Sequence, residues 1–545
     1  MSPPNTAISY YIYNSGVSEW FKQDRIKNQV MTDTTPKPRR AMAGYILLAV
    51  FVIAKIVLQY LVVNPVYDLQ RDEYLHLDQG YHLAWGYQSV PPVSSWISWL
   101  IIKLGNGLFW VKFFPAVFGA LTIVTVWKAI EYLKGGLFAC VLAATALLGS
   151  VLLRINILYQ PNSLDILSWT LLYYCLLRYI QSAKNKYLYL LALAFAIGFL
   201  NKYNILFCLA GLLPALAISR HRRIFLIPHL YYAGLLALVL VSPNLYWQYQ
   251  NHFPVLTHMK ELAETQLVHV DRMDFLKEQL FFFIGSLFIL LAGFISFFRY
   301  TPHKTFRLYF WAWVFTILVF IYLHAKAYYA IGLYPVYFAF GAVYLARLLS
   351  RGWLFYLRYV SIAVILVFFY MTLKVALPIY TPETYVNNAA EGRPFSTHTW
   401  EDGKQYPISQ DFADMLGWKE LAHKVDSVYA SLIQKEQVMV LCDNYGQAGA
   451  INYYTKQKGL QADAFVPDYI RWMNLDRDIT QVIRIKTASN TDSKRDENLF
   501  NSVHFITEID NIYAREKGTR ILLLRDPKME LAPLLRNERD KRTAR

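Results

Sequence analysis

The chain has 545 residues, of which 55% are hydrophobic and only 17% charged, with a formal net charge of +16. Soluble globular proteins carry about 25% charged residues. This composition therefore excludes a disordered protein, a collagen or coiled-coil rod and a purely cytosolic enzyme, and it predicts a polytopic membrane protein. The four cysteines are scattered and three lie in apolar runs, so we expect no disulfide framework.

The basic excess belongs to the apolar part of the chain. Residues 378–545 contain 23 Lys and Arg against 24 Asp and Glu, whereas residues 1–377 carry a net charge of +17. Nucleic-acid-binding proteins are also basic, but basic groups between hydrophobic runs are typical of the cytoplasmic loops of membrane proteins. We therefore expect the lipid bilayer as a partner and no nucleic acid.

The first apolar run extends from about Met42 to Val63 and follows Lys37, Arg39 and Arg40. This basic flank predicts a cytoplasmic N-terminus, with residues 1–41 as a cytoplasmic tail. Hydropathy predicts about eleven crossings in all, and basic connections alternate with connections that are less basic. The predicted spans lie near residues 42–63, 108–130, 136–157, 163–181, 187–200, 203–219, 229–247, 277–298, 306–323, 328–347 and 353–376.

A short apolar stretch, Val93–Leu104, lies between the first two predicted spans and is rich in Trp and Ser. It is too short to cross a bilayer, which needs about 20 apolar residues. Two interpretations stay open. The stretch is either an interfacial helix at the outer surface or an extension of the helix that follows.

The composition changes at Pro378 to that of a soluble domain. Gln437–Asp443, Gln481–Ile485 and Arg520–Leu524 read as buried strands that alternate with helical segments. This alternation predicts an α/β domain. Since eleven crossings separate it from a cytoplasmic N-terminus, residues 378–545 are expected outside the cytoplasm, and residues 42–377 form the transmembrane domain.

Polar residues collect on the predicted outer side of the membrane. Ionisable groups near membrane depth are costly unless they serve a function, so this clustering marks a candidate site. Its first part is the outer loop 64–92. The candidates are Arg71, Asp72, Glu73 and His82 in that loop, Asp165 at the start of a span, Lys202 between two short spans, and Lys326, Tyr328 and Tyr329 at the outer end of two later spans.

Carboxylates beside cations suit the transfer of a sugar from a phosphate. A carboxylate can take the proton of an acceptor hydroxyl, and Lys or Arg stabilises the charge that develops on a leaving phosphate. Outside the cytoplasm no nucleotide-sugar pool exists, so the activated sugar would arrive on a lipid.

Each candidate also has a structural alternative. The acidic pair in the outer loop is then a solvated corner, and Lys202 extends its amine to the membrane interface. Asp165 caps the helix that it begins, a role that is compatible with catalysis. Tyr328 and Tyr329 belong to an aromatic belt. The candidates gain weight because they share one face.

The motifs that carry these residues resemble the glycosyltransferase family 39-like proteins, GT-C relatives of protein O-mannosyltransferases and of lipid A aminoarabinose transferase. They follow one another in the family's order along residues 44–450. They are Asp72–Tyr74, His82–Tyr87 and Pro91-Pro92 in the outer loop, then Gln160–Asp165, Gly198–Tyr203, Ser242–Gln248, Lys326–Tyr329 with Tyr334-Pro335, Met415–Trp418 and Asp443–Ala448.

The resemblance implies a GT-C membrane fold and an inverting transferase of hexosyl or pentosyl groups. Its donor would be a polyprenyl-phosphate-linked sugar, and its acceptor a membrane-associated lipid, cell-envelope glycan or protein at the periplasmic face of a bacterial inner membrane. By this likeness Asp72 is the main catalytic carboxylate, Glu73 its neighbour and Asp165 the second acidic residue. The donor would be bound by Lys202, Lys326, Arg71, Tyr328, Tyr329 and His82.

Some relatives place a divalent metal ion near these carboxylates, where Asp72 and Asp165 would be the ligands, although nothing in the sequence demands one. The sequence also departs from the family pattern. Asn201 stands where the family usually has Thr, and residues 464–475 lack the expected Trp-Gly pattern.

Two other classes of function remain as alternatives. A secondary transporter or lipid flippase would place its ionisable groups near the bilayer midplane, within broken helices and often with internal symmetry. A membrane scaffold would use the outer α/β domain to bind a partner, and it would not need Asp72 or Glu73.

Overall fold

Helices form most of residues 38–389, because an apolar segment can satisfy its backbone hydrogen bonds internally only as a helix. The computed structural model describes residues 38–389, 399–466 and 468–543. The predicted cytoplasmic tail therefore lies almost wholly outside the described residues. The helices in chain order are α1 (Pro38–Leu61), α2 (Arg71–Gln79), α3 (Val93–Lys103), α4 (Leu108–Tyr132), α5 (Leu137–Leu148), α6 (Val151–Ile155), α7 (Asn162–Ser182), α8 (Lys186–Asn201), α9 (Ile205–Ile218), α10 (Pro228–Gln250), α11 (Pro254–Thr265), α12 (Arg272–Phe281), α13 (Leu287–Arg299), α14 (Arg307–Tyr322), α15 (Pro335–Leu348), α16 (Leu357–Ala376) and α17 (Pro382–Ala389).

Within the described residues, five helical segments are long and apolar enough to cross a membrane, or seven if each of two bent pairs counts as one span. Helices α5, α8 and α9 are apolar but shorter, with 12, 16 and 14 residues. Several apolar helices are thus present, and the count of eleven crossings stays a prediction. The five segments are Met42–Leu61, Leu108–Tyr132, Pro228–Gln250, Thr301–Tyr322 and Gly352–Ala376.

Two predicted spans are broken in the middle. The span near 277–298 consists of α12 and the segment Ile284–Arg299, which meet at 59°. The span near 328–347 consists of the 3₁₀ segment Ala327–Leu333 and α15, which meet at 53°. Pro335 begins α15, where its missing N–H costs no hydrogen bond. Hydropathy averaged over a window does not detect such bends.

Helices pack closely where glycine removes a side chain. A Cβ atom added at Gly341 of α15 would lie 1.9 Å from the carbonyl oxygen of Ile289 in α13. One added at Gly211 of α9 would lie 1.9 Å from Oγ1 of Thr316 in α14. Small residues at such crossings are typical of membrane helices, whose association depends on close backbone packing.

The stretch Val93–Leu104 forms a helix of its own, α3, and is not an extension of the next helix. Gly105 with φ of 101° and Asn106 with φ of 53° turn the chain between α3 and α4. Trp96 and Trp99 of α3 are exposed, while Ser95 and Ser98 on the opposite side are buried.

The C-terminal part contains a five-stranded sheet in the order β2-β1-β3-β5-β4. Strands β2, β1 and β3 are parallel, and β5 and β4 continue the sheet in antiparallel fashion. The three predicted strands fall on β1, β3 and β5. The elements are α18 (Gln410–Ala413), α19 (Trp418–Ala430), β1 (Val438–Cys442), α20 (Tyr445–Tyr454), β2 (Ala462–Ala464), β3 (Gln481–Lys486), α21 (Lys494–Leu499), β4 (Phe500–Glu508), β5 (Arg520–Pro527) and α22 (Leu531–Thr543).

Helix α20 packs directly on α2, and one apolar cluster joins the two. The rings of Tyr74 in α2 and Trp418 in α19 are 5.8 Å apart, and both residues are buried. A Cβ atom added at Gly449 would lie 2.7 Å from Cβ of Tyr74, so the two backbones approach closely. The segment 64–92 is therefore held between the apolar helices and the C-terminal sheet, and the candidate site lies at this junction.

Candidate functional site

The site is organised by the first turn of α2. Gln70 precedes the helix and accepts a hydrogen bond from the backbone N–H of Asp72 at 2.8 Å. Glu73 completes a capping box, since its Oε2 accepts from the backbone N–H of Gln70 at 2.6 Å. This local pattern fixes the backbone that carries Arg71, Asp72 and Glu73.

Glu73 is buried at 1% exposure, and both of its carboxylate oxygens accept backbone hydrogen bonds. Oε1 accepts from the N–H of Tyr159 at 2.6 Å. Burial raises the pKa of Glu73 to about 7, although the N–H donors of Tyr159 and Gln70 oppose the shift. Glu73 thus joins α2 to the segment before α7, and this geometry suits a structural role.

Asp72 points in a different direction, and its side chain is 36% exposed. Its Oδ1 accepts a hydrogen bond from the hydroxyl of Tyr445 at 2.7 Å. Its Oδ2 accepts one from Nε2 of Gln160 at 3.3 Å. Arg71 lies beside it, with Nε 3.5 Å from Oδ1. Asp72 is therefore an oriented carboxylate that solvent still reaches.

A chain of side chains leads from Asp72 to Lys202. Gln160, bonded to Asp72, accepts from Nδ2 of Asn162 at 2.9 Å. Oδ1 of Asn162 accepts in turn from Nζ of Lys202 at 2.7 Å. Asn201, which stands where the family usually has Thr, donates to the carbonyl of Pro161 at 2.8 Å and holds the same segment in place.

The amine of Lys202 lies against two tyrosine rings. Its Nζ lies 4.5 Å from the ring centre of Tyr329 and 5.2 Å from that of Tyr328. The two rings are 4.7 Å apart. A cation against aromatic faces gains electrostatic stabilisation. Lys202 thus faces the polar chain and these two rings.

Asp165 lies in the first turn of α7 but does not cap it. The residue before the helix is Pro161, and Asp165 instead accepts from Nε1 of Trp169 at 3.1 Å and from Nδ2 of Asn204 at 2.8 Å. Asn204 also donates to the carbonyl of Tyr329 at 3.0 Å. The capping alternative is therefore wrong, and Asp165 is a buried carboxylate beside the Lys202 segment.

Lys326 is engaged by the C-terminal part of the chain. Its Nζ donates to Oε1 of Glu401 at 2.7 Å and to Oε1 of Gln266 at 2.6 Å. Burial raises the pKa of Glu401, but the charge and hydrogen bond of Lys326, together with Gln410 and Arg71, outweigh burial and lower that pKa to about 2. Gln410 donates to the other oxygen of Glu401 at 2.9 Å.

Arg71 is largely buried, and its guanidinium lies 5.0 Å from the ring centre of Tyr445. Its buried Nε has no hydrogen-bond partner among the described residues. Asp414, close enough to act on Arg71 electrostatically, pairs with Nη1 of Arg515 at 3.1 Å. Arg71 thus keeps donor capacity beside Asp72.

His82 lies away from the polar chain. Its ring stacks on Trp472 with centroids 4.4 Å apart and an interplanar angle of 9°. Nearby, Oδ2 of Asp78 accepts from Asn452 at 2.8 Å and from Tyr469 at 2.6 Å. These contacts join the segment 64–92 to the C-terminal part, and this is where the structure places His82.

The motif Ser242–Gln248 supports the residue next to Lys202. Oδ1 of Asn244 accepts from the hydroxyl of Tyr203 at 2.9 Å, and Gln248 donates to the same hydroxyl at 3.0 Å. Asn244 also donates to the carbonyl of Trp85 at 2.7 Å. Motifs far apart in sequence are therefore in direct contact.

Sequence reasoning assigned no role to several residues of this site. Gln160, Asn162 and Tyr445 lie inside the motifs of the resemblance. Those motifs marked their segments, but they did not indicate which side chains of other segments these residues contact. Glu401 and His258 lie in no motif. His258 is close enough to Asp72 and Lys326 for both to act on its pKa, which burial lowers.

The carboxylates present do not fit a divalent metal ion. Both predicted ligands already accept hydrogen bonds within the chain, Asp165 from Trp169 and Asn204 and Asp72 from Tyr445 and Gln160. Among the described residues no group of three or more His, Cys, Asp or Glu side chains is arranged to hold a metal.

Comparisons with known proteins agree with this architecture. Residues 89–247 match the family described as dolichyl-phosphate-mannose-protein mannosyltransferase. ArnT from Cupriavidus metallidurans in the apo state superposes with a TM-score of 0.59 at 12% identity, covering 89% of this chain and 98% of ArnT. ArnT bound to undecaprenyl phosphate gives a TM-score of 0.57 with the same identity and coverage. No curated protein sequence matches the chain.

At 12% identity the likeness to ArnT shows the fold. The family match rests on sequence, and it covers the segment that contains Gln160, Asp165 and Lys202. The resemblance predicted from the ordered motifs is therefore confirmed: the chain has the fold of a GT-C membrane glycosyltransferase and is similar over residues 89–247 to the dolichyl-phosphate-mannose-protein mannosyltransferases.

Proposed function

We propose that the chain is an inverting glycosyltransferase that moves a hexosyl or pentosyl group from a polyprenyl-phosphate-linked donor to a hydroxyl or phosphate acceptor. The acceptor would be a membrane-associated lipid, cell-envelope glycan or protein. The fold shared with ArnT, which binds undecaprenyl phosphate in one of its structures, supports a lipid-phosphate donor.

The observation that carries this proposal is the hydrogen-bonded chain from Asp72 through Gln160 and Asn162 to Lys202. It connects a partly exposed carboxylate with a cation that lies against two aromatic rings. A transferase needs a base near the acceptor and positive charge near the leaving phosphate. This series of hydrogen bonds supports the presence of both groups within one site.

In the proposed reaction, the acceptor hydroxyl oxygen attacks the anomeric carbon of the sugar while the bond from that carbon to the phosphate oxygen breaks. The hydroxyl proton passes to Asp72, and the electron pair of the broken bond stays on the phosphate. Lys202 and Lys326 then face the additional negative charge, and Lys326 must exchange Glu401 for the phosphate. The lipid leaves as polyprenyl phosphate.

The parts of the chain have separate tasks in this proposal. Residues 42–377 form the membrane domain with the catalytic outer segment 64–92, and residues 378–545 form a periplasmic α/β domain. The reaction takes place at the outer face of a bacterial inner membrane. A transporter or flippase is not favoured, because the contacts of Asp72 and Lys326 lead to Tyr445 and Glu401 of the C-terminal part, whereas a transporter site lies near the bilayer midplane.

The substitution Asp72→Asn tests the assignment of the base. The amide oxygen still accepts from Tyr445, so folding and membrane insertion should persist, but the side chain no longer takes a proton. We expect transfer to fall by about 100- to 10,000-fold. The assay uses full-length protein in proteoliposomes, undecaprenyl phosphate carrying radiolabelled mannose, glucose or aminoarabinose, and native membrane extract as the source of acceptor.

Asp476→Asn is the matched control. Asp476 is a carboxylate of the C-terminal part whose side chain is 91% exposed, and it pairs with Arg536. This variant should transfer at the rate of the unmodified chain. If Asp72→Asn is as active as this control, the catalytic assignment is wrong and the scaffold alternative gains support.

A further inference from the structure

We propose that Tyr445 of the C-terminal α/β part is a positioning residue for Asp72, so that this part completes the transferase site. The inference rests on the proposed function, because it concerns the same carboxylate. It goes further by assigning a task in the reaction to a residue 373 positions away in the chain.

Tyr445 makes two contacts with the first turn of α2. Its hydroxyl donates to Oδ1 of Asp72 at 2.7 Å, and its ring lies 5.0 Å from the guanidinium carbon of Arg71. Gln160 holds the other carboxylate oxygen of Asp72. With one oxygen bonded from each side, the carboxylate plane is fixed relative to the segment that carries Lys202.

The start of α20 holds Tyr445 rigidly. Oδ1 of Asn444 accepts from the backbone N–H of Gln447 at 3.0 Å, and Oε1 of Gln447 accepts from the backbone N–H of Asn444 at 3.4 Å. This is a capping box. Buried Glu516 fixes both side chains, since it accepts from Gln447 at 2.6 Å and from Asn444 at 3.2 Å.

The two helix starts approach so closely that only glycine fits between them. A Cβ atom added at Gly446 would lie 2.4 Å from Cγ of Arg71 and 3.0 Å from Cη2 of Trp418. The motif Asp443–Ala448 therefore has a physical explanation. Asn444 and Gln447 cap the helix, Gly446 permits the approach to Arg71, and Tyr445 reaches Asp72.

This arrangement gives Tyr445 an effect on rate. A base must hold its accepting oxygen within hydrogen-bond reach of the acceptor proton, and a small misplacement lowers the rate steeply. The Tyr445 hydroxyl does not touch the donor phosphate in this arrangement. Its loss should therefore lower kcat and leave the KM for the lipid-linked donor nearly unchanged.

Tyr445→Phe tests the proposal, because it removes the hydroxyl and keeps the ring on Arg71. We expect kcat to fall by about 10-fold, with little change in the KM for the radiolabelled undecaprenyl-phosphate sugar in proteoliposomes. Tyr453→Phe is the matched control. Tyr453 lies on the same helix and donates to the carbonyl of Asn106 at 3.1 Å, away from Asp72.

The outcomes separate this inference from the proposed function. If Asp72→Asn is inactive while Tyr445→Phe matches Tyr453→Phe, Tyr445 has no positioning role and the base assignment stands. If Asp72→Asn retains activity, the proposed function itself fails. In an Asp72→Asn background, adding Tyr445→Phe should leave the residual rate unchanged, because the group that it positions is already lost. A further 10-fold loss there would overturn the proposal.

Discussion

Asp78 and Asp72 lie on the same helix, but their surroundings give them different properties. Asp72 is partly exposed, whereas Asp78 is buried and bonded to Asn452 and Tyr469 of the C-terminal part. Burial raises the pKa of Asp78 from 3.8 to about 7, against the effect of those two donors. Asp78 is therefore protonated in the folded chain at a pH where it would be ionised in the unfolded chain.

This difference predicts how stability depends on pH. Between about pH 4 and pH 7 the folded state holds a proton on Asp78 that the unfolded state has lost, so the free energy of unfolding decreases as pH rises through this window. Asp78→Asn keeps an acceptor oxygen and removes the titration. We expect the free energy of unfolding of this variant to depend less steeply on pH, and the difference in slope corresponds to up to about one proton. Thermal unfolding in detergent at several pH values measures it.

Other buried carboxyls contribute in the same direction, so the comparison needs a control. The pKa of Glu73 and that of Asp463 are also raised to about 7 by burial. Asp476→Asn changes an exposed carboxylate, so its free energy of unfolding should depend on pH as steeply as that of the unmodified chain. Equal slopes for all three proteins would show that Asp78 does not titrate with folding.

At the residue scale, the sequence singled out candidate residues but not the side chains that contact them. The motifs located Asp72, Lys202 and Lys326, because polar residues in apolar surroundings are conspicuous. The bond from Tyr445 to Asp72 and that from Glu401 to Lys326 were not predicted. Each joins segments that local patterning treats separately, and only the folded chain brings them together.

At the scale of elements, the predicted strands fall on strands, since short apolar runs between polar turns define them locally. The two bent spans were predicted as continuous, because hydropathy does not report how one helix packs on another. Helix α13 belongs to one bent span and α15 to the other. The two helices pack so closely that a glycine is needed where they meet.

Gly341→Ala should disturb this packing strongly. The added Cβ would lie 1.9 Å from the carbonyl oxygen and 2.8 Å from the carbonyl carbon of Ile289, and these backbone atoms can move away only if the helix itself moves. We expect a loss of about 1–3 kcal/mol in the free energy of unfolding, measured as a lower thermal midpoint in detergent.

Gly234→Ala in α10 provides the comparison. A Cβ atom added there meets nothing within 4 Å, so this variant should be neutral or slightly more stable. If the two alanine variants unfold at the same temperature, the approach of α13 to α15 is looser than the structure has it.

For the whole molecule, the contact between α2 and α20 constrains the membrane topology independently of hydropathy. Tyr445 bonds to Asp72, so both helices must lie on the same side of the bilayer. The number of crossings between them is therefore even. The predicted eleven crossings satisfy this condition, because one precedes α2 and ten follow it.

Labelling with a membrane-impermeant maleimide tests this topology in spheroplasts. The four native cysteines are buried and unpaired, which gives a low background. Single cysteines replace Tyr81, Lys260 and Ile433. Tyr81 is 60% exposed, Ile433 is 95% exposed, and the side chain of Lys260 is 77% exposed. All three should be labelled from outside, whereas cysteines at the exposed basic positions Lys304 and Arg351 should react only after permeabilisation.

Two patterns of labelling would contradict different parts of the account. If Tyr81→Cys reacts and Ile433→Cys does not, the bond between Tyr445 and Asp72 is incompatible with the membrane, and the junction that forms the site does not exist. If Tyr81 and Ile433 react but Lys260 is protected, the two ends of the site share one side, and the number of crossings before α11 differs by one from the prediction. The second result would move Gln266, and with it the contact to Lys326, away from the outer face.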